Sequence, residues 1–225
     1  MRAVSLSNDS VLNALKNGFV CGYKNITGEP YAGRSGHHDP TAPAVLTTNG
    51  AGPHNVQMFF LSKDGVVLQC LPGFWAPPDF LYEMKFALGL NKLWLNDQVP
   101  LETKKRLFSQ AQLQDIPRHP ADMVARSHLQ SFDAQHETKK TKGQSDFIFR
   151  PGGYRPPIQS KAMHNLKTTD QVVHERMARR PFVAYEDFDV ADFSNYGKER
   201  YDKKEETRKK NDNKTQTPAI AAASH

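Results

Sequence analysis

The sequence predicts an α/β fold: a small sheet made of a β-hairpin plus one further strand, flanked by helices and followed by a helical and extended C-terminal extension. Three observations lead there. Two apolar, β-prone runs, 56–61 and 66–71, flank Ser62-Lys63-Asp64-Gly65, a turn with glycine where a positive φ is wanted. A helix follows at once: Pro77 and Pro78 suit its first turn, Asp79 its positive end, and Phe80, Leu81, Met84, Leu88 and Trp94 recur at helical spacing. Beyond Asn96 the chain becomes polar and rich in charge, so the core is expected to lie mainly before it.

The remaining elements can be read in chain order. Residues 7–16 predict a short helix, with Ser7 or Asn8 as cap, Val11, Leu12 and Leu15 as its apolar stripe, and Gly18 at its end. Residues 19–26 (FVCGYKNI) are the further strand, with Phe19, Cys21 and Tyr23 on one face. A connection rich in Gly, Pro, Ser, Thr and His spans 27–55, a length that is usually functional or disordered. After the hairpin and its helix come two amphipathic helices, 101–113 and 120–137, and a basic linker, 139–144. An extended stretch at 146–165 carries RPGGYRPP. A third helix at 168–179 opens at Thr168 or Thr169 with Asp170 in its first turn. The expected organisation is a first domain at 1–96, a helical and extended region at 97–202, and a disordered charged tail at 203–225.

Composition bounds the function. The chain has 225 residues, 38% of them hydrophobic, and a mean hydropathy of -0.66, which predicts a modest core with long polar segments. The formal charge of +6 is small, and the tail mixes both signs, so there is no strong nucleic-acid signal. No run approaches the roughly 20 apolar residues of a membrane helix. The first residues lack the apolar core of a signal peptide. As written the chain is expected in the cytoplasm, or exported if a signal segment upstream of Met1 is missing.

Candidate chemistry is sparse. Cys21 and Cys70 are the only thiols. Each falls among strand-like apolar residues and reads first as a small buried hydrophobe, with redox chemistry the alternative. His37, His38 and His54 share the long connection with carboxylates nearby, a set that would suit zinc or copper; the competing reading is turn geometry. Arg34 and Ser35 lie between glycines, and Asn49 and Asn55 flank another glycine pair, so these four form a candidate binding loop for a small anion or peptide. A polar run ahead of a buried strand must also satisfy its hydrogen bonds, so locking the loop to the sheet is its expected structural role. His174-Glu175-Arg176-Met177-Ala178 starts like a zinc-protease helix but has alanine where the second histidine belongs. Phe182, Tyr185, Phe188, Phe193, Tyr196 and Tyr201 alternate with acids and are expected to pack within the chain or against a protein partner.

The helix at 11–15, FVCGYKN, LSKDG and GFWAPPDFL together resemble thioredoxin-like proteins downstream of their active-site cysteines. TTNGAGPHN and KTTDQVVHERMARRPF are similar to stretches of bacterial thioredoxin-family proteins that bring no activity with them. The resemblance implies a reduced thioredoxin fold. It does not supply the chemistry: there is no Cys-x-x-C, and Pro53 falls too early for the family's cis-proline. The first functional expectation is therefore a non-catalytic thioredoxin-like binding or scaffold protein with no predicted cofactor. The alternatives are a thiol-disulfide oxidoreductase relative truncated before its Cys-x-x-C, and a metal-binding protein using the loop histidines.

Overall fold

A computed structural model describes residues 1, 4–33, 47–52, 54–140, 145–149 and 166–194. The predicted sites Arg34, Ser35, His37 and His38, together with Pro53, Tyr196, Tyr201, most of the predicted extended stretch and the charged tail, lie outside the described residues.

Helix α1 (Asp9–Gly18) starts where Asn8 caps it, its side chain accepting from the backbone N–H groups of Ser10 and Val11. Its Val11 is fully buried. The hairpin forms as predicted: β1 (Gln57–Leu61) pairs antiparallel with β2 (Val67–Pro72). Gly65 takes φ +77° in the turn, and the Ser62 hydroxyl accepts from the N–H groups of Asp64 and Val66. A bulge between Phe60 and Leu61 leaves Leu68 as the extra residue of β2.

These two strands are the whole sheet among the described residues. The predicted strand at 19–26 does not form. Phe19 packs against Phe60, but Val20 and Tyr23 are essentially fully exposed and Cys21 lies on the surface with them. β propensity places no strand without a ladder to join, and the β2 edge is taken elsewhere. Residues 183–185 cover its start, through a bridge from Val66 to Ala184 and hydrogen bonds Val67 N–H to Val183 C=O and Tyr185 N–H to Gly65 C=O.

Helix α2 (Pro77–Trp94) buries Asp79, Phe80, Glu83, Met84, Ala87 and Leu90. Leu88, predicted on that stripe, is exposed, because the buried face is centred nearer Glu83 and Ala87. Helix α3 (Leu101–Asp115) follows, and a short 3-10 turn, Ile116–Arg118, leads to α4 (Ala121–Arg126) and α5 (Ser131–Lys139). The single helix predicted at 120–137 is thus broken in two. At the break, the carbonyl of Arg126 accepts from Asn49 N–H and that of Ser127 from Thr169 N–H, so carbonyls near the end of α4 serve distant segments.

Helix α6 (Thr169–Ala178) packs along α3 and β2 and is buried on nearly every side despite its polar sequence, TDQVVHERMA. A 3-10 turn, Tyr185–Asp187, and α7 (Val190–Ser194) close the described chain. Phe182, Phe188 and Phe193 join the main core with Trp75, Phe80, Met84 and Phe108. The first and last thirds of the chain therefore share one core across the predicted boundary at residue 96.

Candidate functional site

The burial of α6 forces its polar side chains to find partners inside the protein. Arg176 donates to Asp146 and to the Phe193 carbonyl, each at 2.8 Å. Gln171 donates to Glu175 at 2.9 Å. Asp170 and His174, one turn apart, face a buried polar cluster whose other members come from α2, α3, β2 and the residue that follows the 3-10 turn.

The geometry of that cluster is specific. His174 Nε2 lies 3.1 Å from Glu83 Oε1, and neither side chain has any exposed surface. Glu83 Oε2 accepts from Gln69 Nε2 at 2.7 Å. His119, just beyond the 3-10 turn, puts Nδ1 2.5 Å from Asp170 Oδ2. Its Nε2 faces Asp115 Oδ2 at 3.5 Å, without an aligned hydrogen bond at either atom. The second Asp115 oxygen accepts from the Tyr82 hydroxyl at 3.2 Å. The two imidazole rings stand 4.7 Å apart, with Tyr82 against one and Phe86 against the other. Donor atoms of Glu83, His119 and His174 all lie within 4.8 Å of one another.

Three carboxylates, from Glu83, Asp115 and Asp170, meet two imidazoles here away from water. Burial by itself would lower the pKa of His119, but Asp115, Asp170 and Glu83 together push it up to about 10. Burial raises Asp115 and Asp170, yet the imidazoles hold both carboxyls below the usual range. The pocket thus has the field of a cation site. It can be filled by a proton on His119 or by a metal ion. His119 Nε2, Asp115 Oδ2, His174 Nδ1 and both amide atoms of Gln112, on the same face of α3 as Asp115, are buried without a protein hydrogen-bond partner. His119 Nε2 and Asp115 Oδ2 face one another, so either a proton on that nitrogen or a metal ion, which needs the nitrogen unprotonated, would answer it.

The residues singled out from the sequence sit elsewhere. His54 Nε2 lies 2.9 Å from the Gly50 carbonyl, which fixes it as the donor nitrogen, and Nδ1 accepts from the Ser194 hydroxyl at 2.6 Å. His54 thereby ties the 47–52 segment to α7, with its own backbone at φ 49°. Asn49 is fully used within the chain. Its Nδ2 donates to Asp79 and Ser127, and its Oδ1 accepts from Ala76 N–H at the start of α2. Arg126 grips the same Asp79 through two nitrogens, at 2.6 and 2.8 Å. Asn55 lies between His54 and β1. Cys70 is buried on β2, as expected, and burial drives its thiol well above the ordinary value, with Arg180 opposing the shift. Cys21, expected in a strand, is exposed because that strand is not made.

Sequence reasoning singled out His174 only to set it aside for want of a histidine at 178. It missed Glu83, His119, Asp115 and Asp170. One signal was available: Glu83 sits in core register between Phe80 and Ala87, and an acid there needs a buried partner. Comparison with protein-family models, with curated proteins and with solved structures finds no match to this chain.

Proposed function

We propose that this protein is a metal-dependent scaffold: a non-catalytic, thioredoxin-like binding protein in which a divalent first-row transition metal, held by Glu83, His119 and His174, fastens the C-terminal region to the first domain. One observation carries the reading. Three fully buried donor groups from three separate segments of the chain converge within 4.8 Å. Two imidazoles and a carboxylate are a donor set that zinc, iron and manganese accept. Asp170 on the far nitrogen of His119 is the outer-shell carboxylate such a histidine normally has. The absence of side-chain exposure at all three donors suits an ion that holds structure rather than one that meets a substrate. Binding then falls to the outer surface, and partner recognition by the C-terminal region is part of the proposal.

The test is metal analysis of the full chain purified without chelators or metal-affinity resin, beside a His174→Ala variant. The reading expects close to one equivalent of metal in the native protein and a large loss in the variant. A native protein that stays metal-free, and takes up neither zinc, iron nor manganese on dialysis, would end it.

A further inference from the structure

Beyond the scaffold reading, and independent of its metal, we infer that Ser194 and His54 form an activated nucleophile that takes an acetyl group from a thioester or an acyl phosphate and keeps it. The Ser194 hydroxyl donates to His54 Nδ1 at 2.6 Å, and His54 Nε2 donates to the Gly50 carbonyl at 2.9 Å. A nucleophilic serine needs this relation: a base nitrogen within hydrogen-bond reach, and a third group that orients the base. The third group is rigid here. Gly50 takes φ +73°, its N–H donates to the Phe74 carbonyl, and the Thr169 methyl stands where a Cβ would be placed. The imidazole is therefore held with its acceptor nitrogen toward Ser194. His54 itself sits in the left-handed region at φ 49°, a sparsely populated conformation of the kind that clusters at working sites.

Both side chains line one cavity of about 40 Å³. Arg176, nearly fully buried, is on the same wall and donates to the Phe193 carbonyl at 2.8 Å, which fixes the peptide that carries Ser194. Its charge lines the space in which an acyl oxygen would turn negative. Thr48, Gly50 and His54, also on the wall, keep part of their surface, so the cavity opens along this segment and the rest of a donor can stay outside. A cavity of this volume has room for about three waters, which a carbonyl carbon, its oxygen and a methyl replace. In the step, Ser194 Oγ forms a bond to the acyl carbon and gives its proton to His54 Nδ1. The bond from that carbon to sulfur or to phosphate oxygen breaks, its electron pair leaves with the thiolate or phosphate, and the proton follows. Nothing is oxidised or reduced. The bound acetyl group then fills the cavity and keeps water from the new ester, so the step is a capture without turnover.

The experiment treats the full chain with p-nitrophenyl acetate, an activated ester, and separately with an acetyl thioester and with acetyl phosphate, which distinguish the two donor classes. Wild type is expected to release about one equivalent of p-nitrophenolate in a burst with no steady release after it, to gain the mass of one acetyl group, and to carry that group on Ser194 by fragment mapping. Ser194→Ala should lose the burst. His54→Gln, which keeps an acceptor for the Ser194 hydroxyl but no base, should acylate at Ser194 at least about 100-fold more slowly. Acetyl groups only on Cys21, lysines or the amino terminus, or an equal rate at Ser194 in His54→Gln, would leave the pair a tie between loop and α7 and overturn the inference. Reaction with the ester alone would overturn the choice of donors. Steady release abolished by Ser194→Ala would overturn the retained adduct and make the protein a hydrolase, without bearing on its metal content. Should neither variant fold, the mapped position in wild type decides alone.

Discussion

Replacing Glu83 by Gln separates a metal centre from a metal-free ion-pair network. The substitution keeps volume and hydrogen bonding at a side chain with no exposure. The new amide can still accept from Gln69, now 2.7 Å from one carboxylate oxygen, and donate toward His174, 3.1 Å from the other. In the presence of chelator the variant should therefore lie within about 1 kcal/mol of wild type. With zinc the two should diverge. A ligand at 100 times its dissociation constant stabilises the folded state by about 2.7 kcal/mol. For a chain of this size that is a rise of about 5–11 °C in Tm. Wild type should show the rise and Glu83→Gln should not. The assay is thermal unfolding followed by circular dichroism, with zinc and with chelator. The competing account makes the opposite forecast. If the Glu83 carboxylate is needed to neutralise a protonated His174, breaking that buried pair costs about 3–5 kcal/mol whether or not metal is present. A large, metal-independent loss in Glu83→Gln would refute the metal reasoning.

Three further outcomes are expected. Gly73→Ala should lower stability by about 2 kcal/mol or more, because Gly73 has φ +76° and an added Cβ would meet the Ala51 carbonyl oxygen at 2.6 Å; the urea midpoint reads it, and an unchanged midpoint would overturn the packing of this corner. In the native protein a thiol reagent should modify Cys21 rapidly and Cys70 only after unfolding, given their exposure and the raised Cys70 thiol; two fast equivalents would contradict the buried position on β2. Burial raises the Asp146 carboxyl, but the Arg176 hydrogen bond and charge, with Arg179, outweigh it and leave the folded pKa depressed. The stabilisation is therefore present above the unfolded value of about 3.9 and is lost as pH falls through the folded one. The stability gap between wild type and Asp146→Asn should hold from neutrality down to about pH 4 and close below it; a gap that persists through strong acid would contradict this assignment.

Where the fold was legible, local chemistry was enough to specify it. The 62–65 turn states its own geometry through Ser62 and Gly65, Asn8 caps α1, and Pro77, Pro78 and Asp79 start α2. Where reading failed, the outcome depended on segments far away in the chain. FVCGY has the composition of a strand, but its fate rests on whether an edge is open, and 183–185 lie along β2. Helical periodicity runs through 120–137, but Asn49 and Thr169 capture the carbonyls of Arg126 and Ser127 and stop α4 there. Neither competition is visible within a window of neighbouring residues.

The candidate centre was hidden for a related reason. Motif reading assumes that ligands recur on one element at a fixed spacing, as two histidines one turn apart would. Here α6 does carry two polar residues one turn apart, Asp170 and His174, but only the histidine belongs to the donor set, and the aspartate orients a histidine from another segment. The end of α3 repeats the arrangement, with Asp115 and His119 four residues apart. Each pair alone reads as an ordinary helix-surface couple, worth a few tenths of a kcal/mol. What changes their meaning is burial. A helix as polar as α6 that loses its solvent on nearly every side must have its charges answered from the elements packed against it, and Glu83, in the middle of the buried face of α2, is an answer of the same kind. Polar residues in core register on two helices far apart in sequence therefore signal one shared interior site, and that signal can be sought in a sequence before any motif is known.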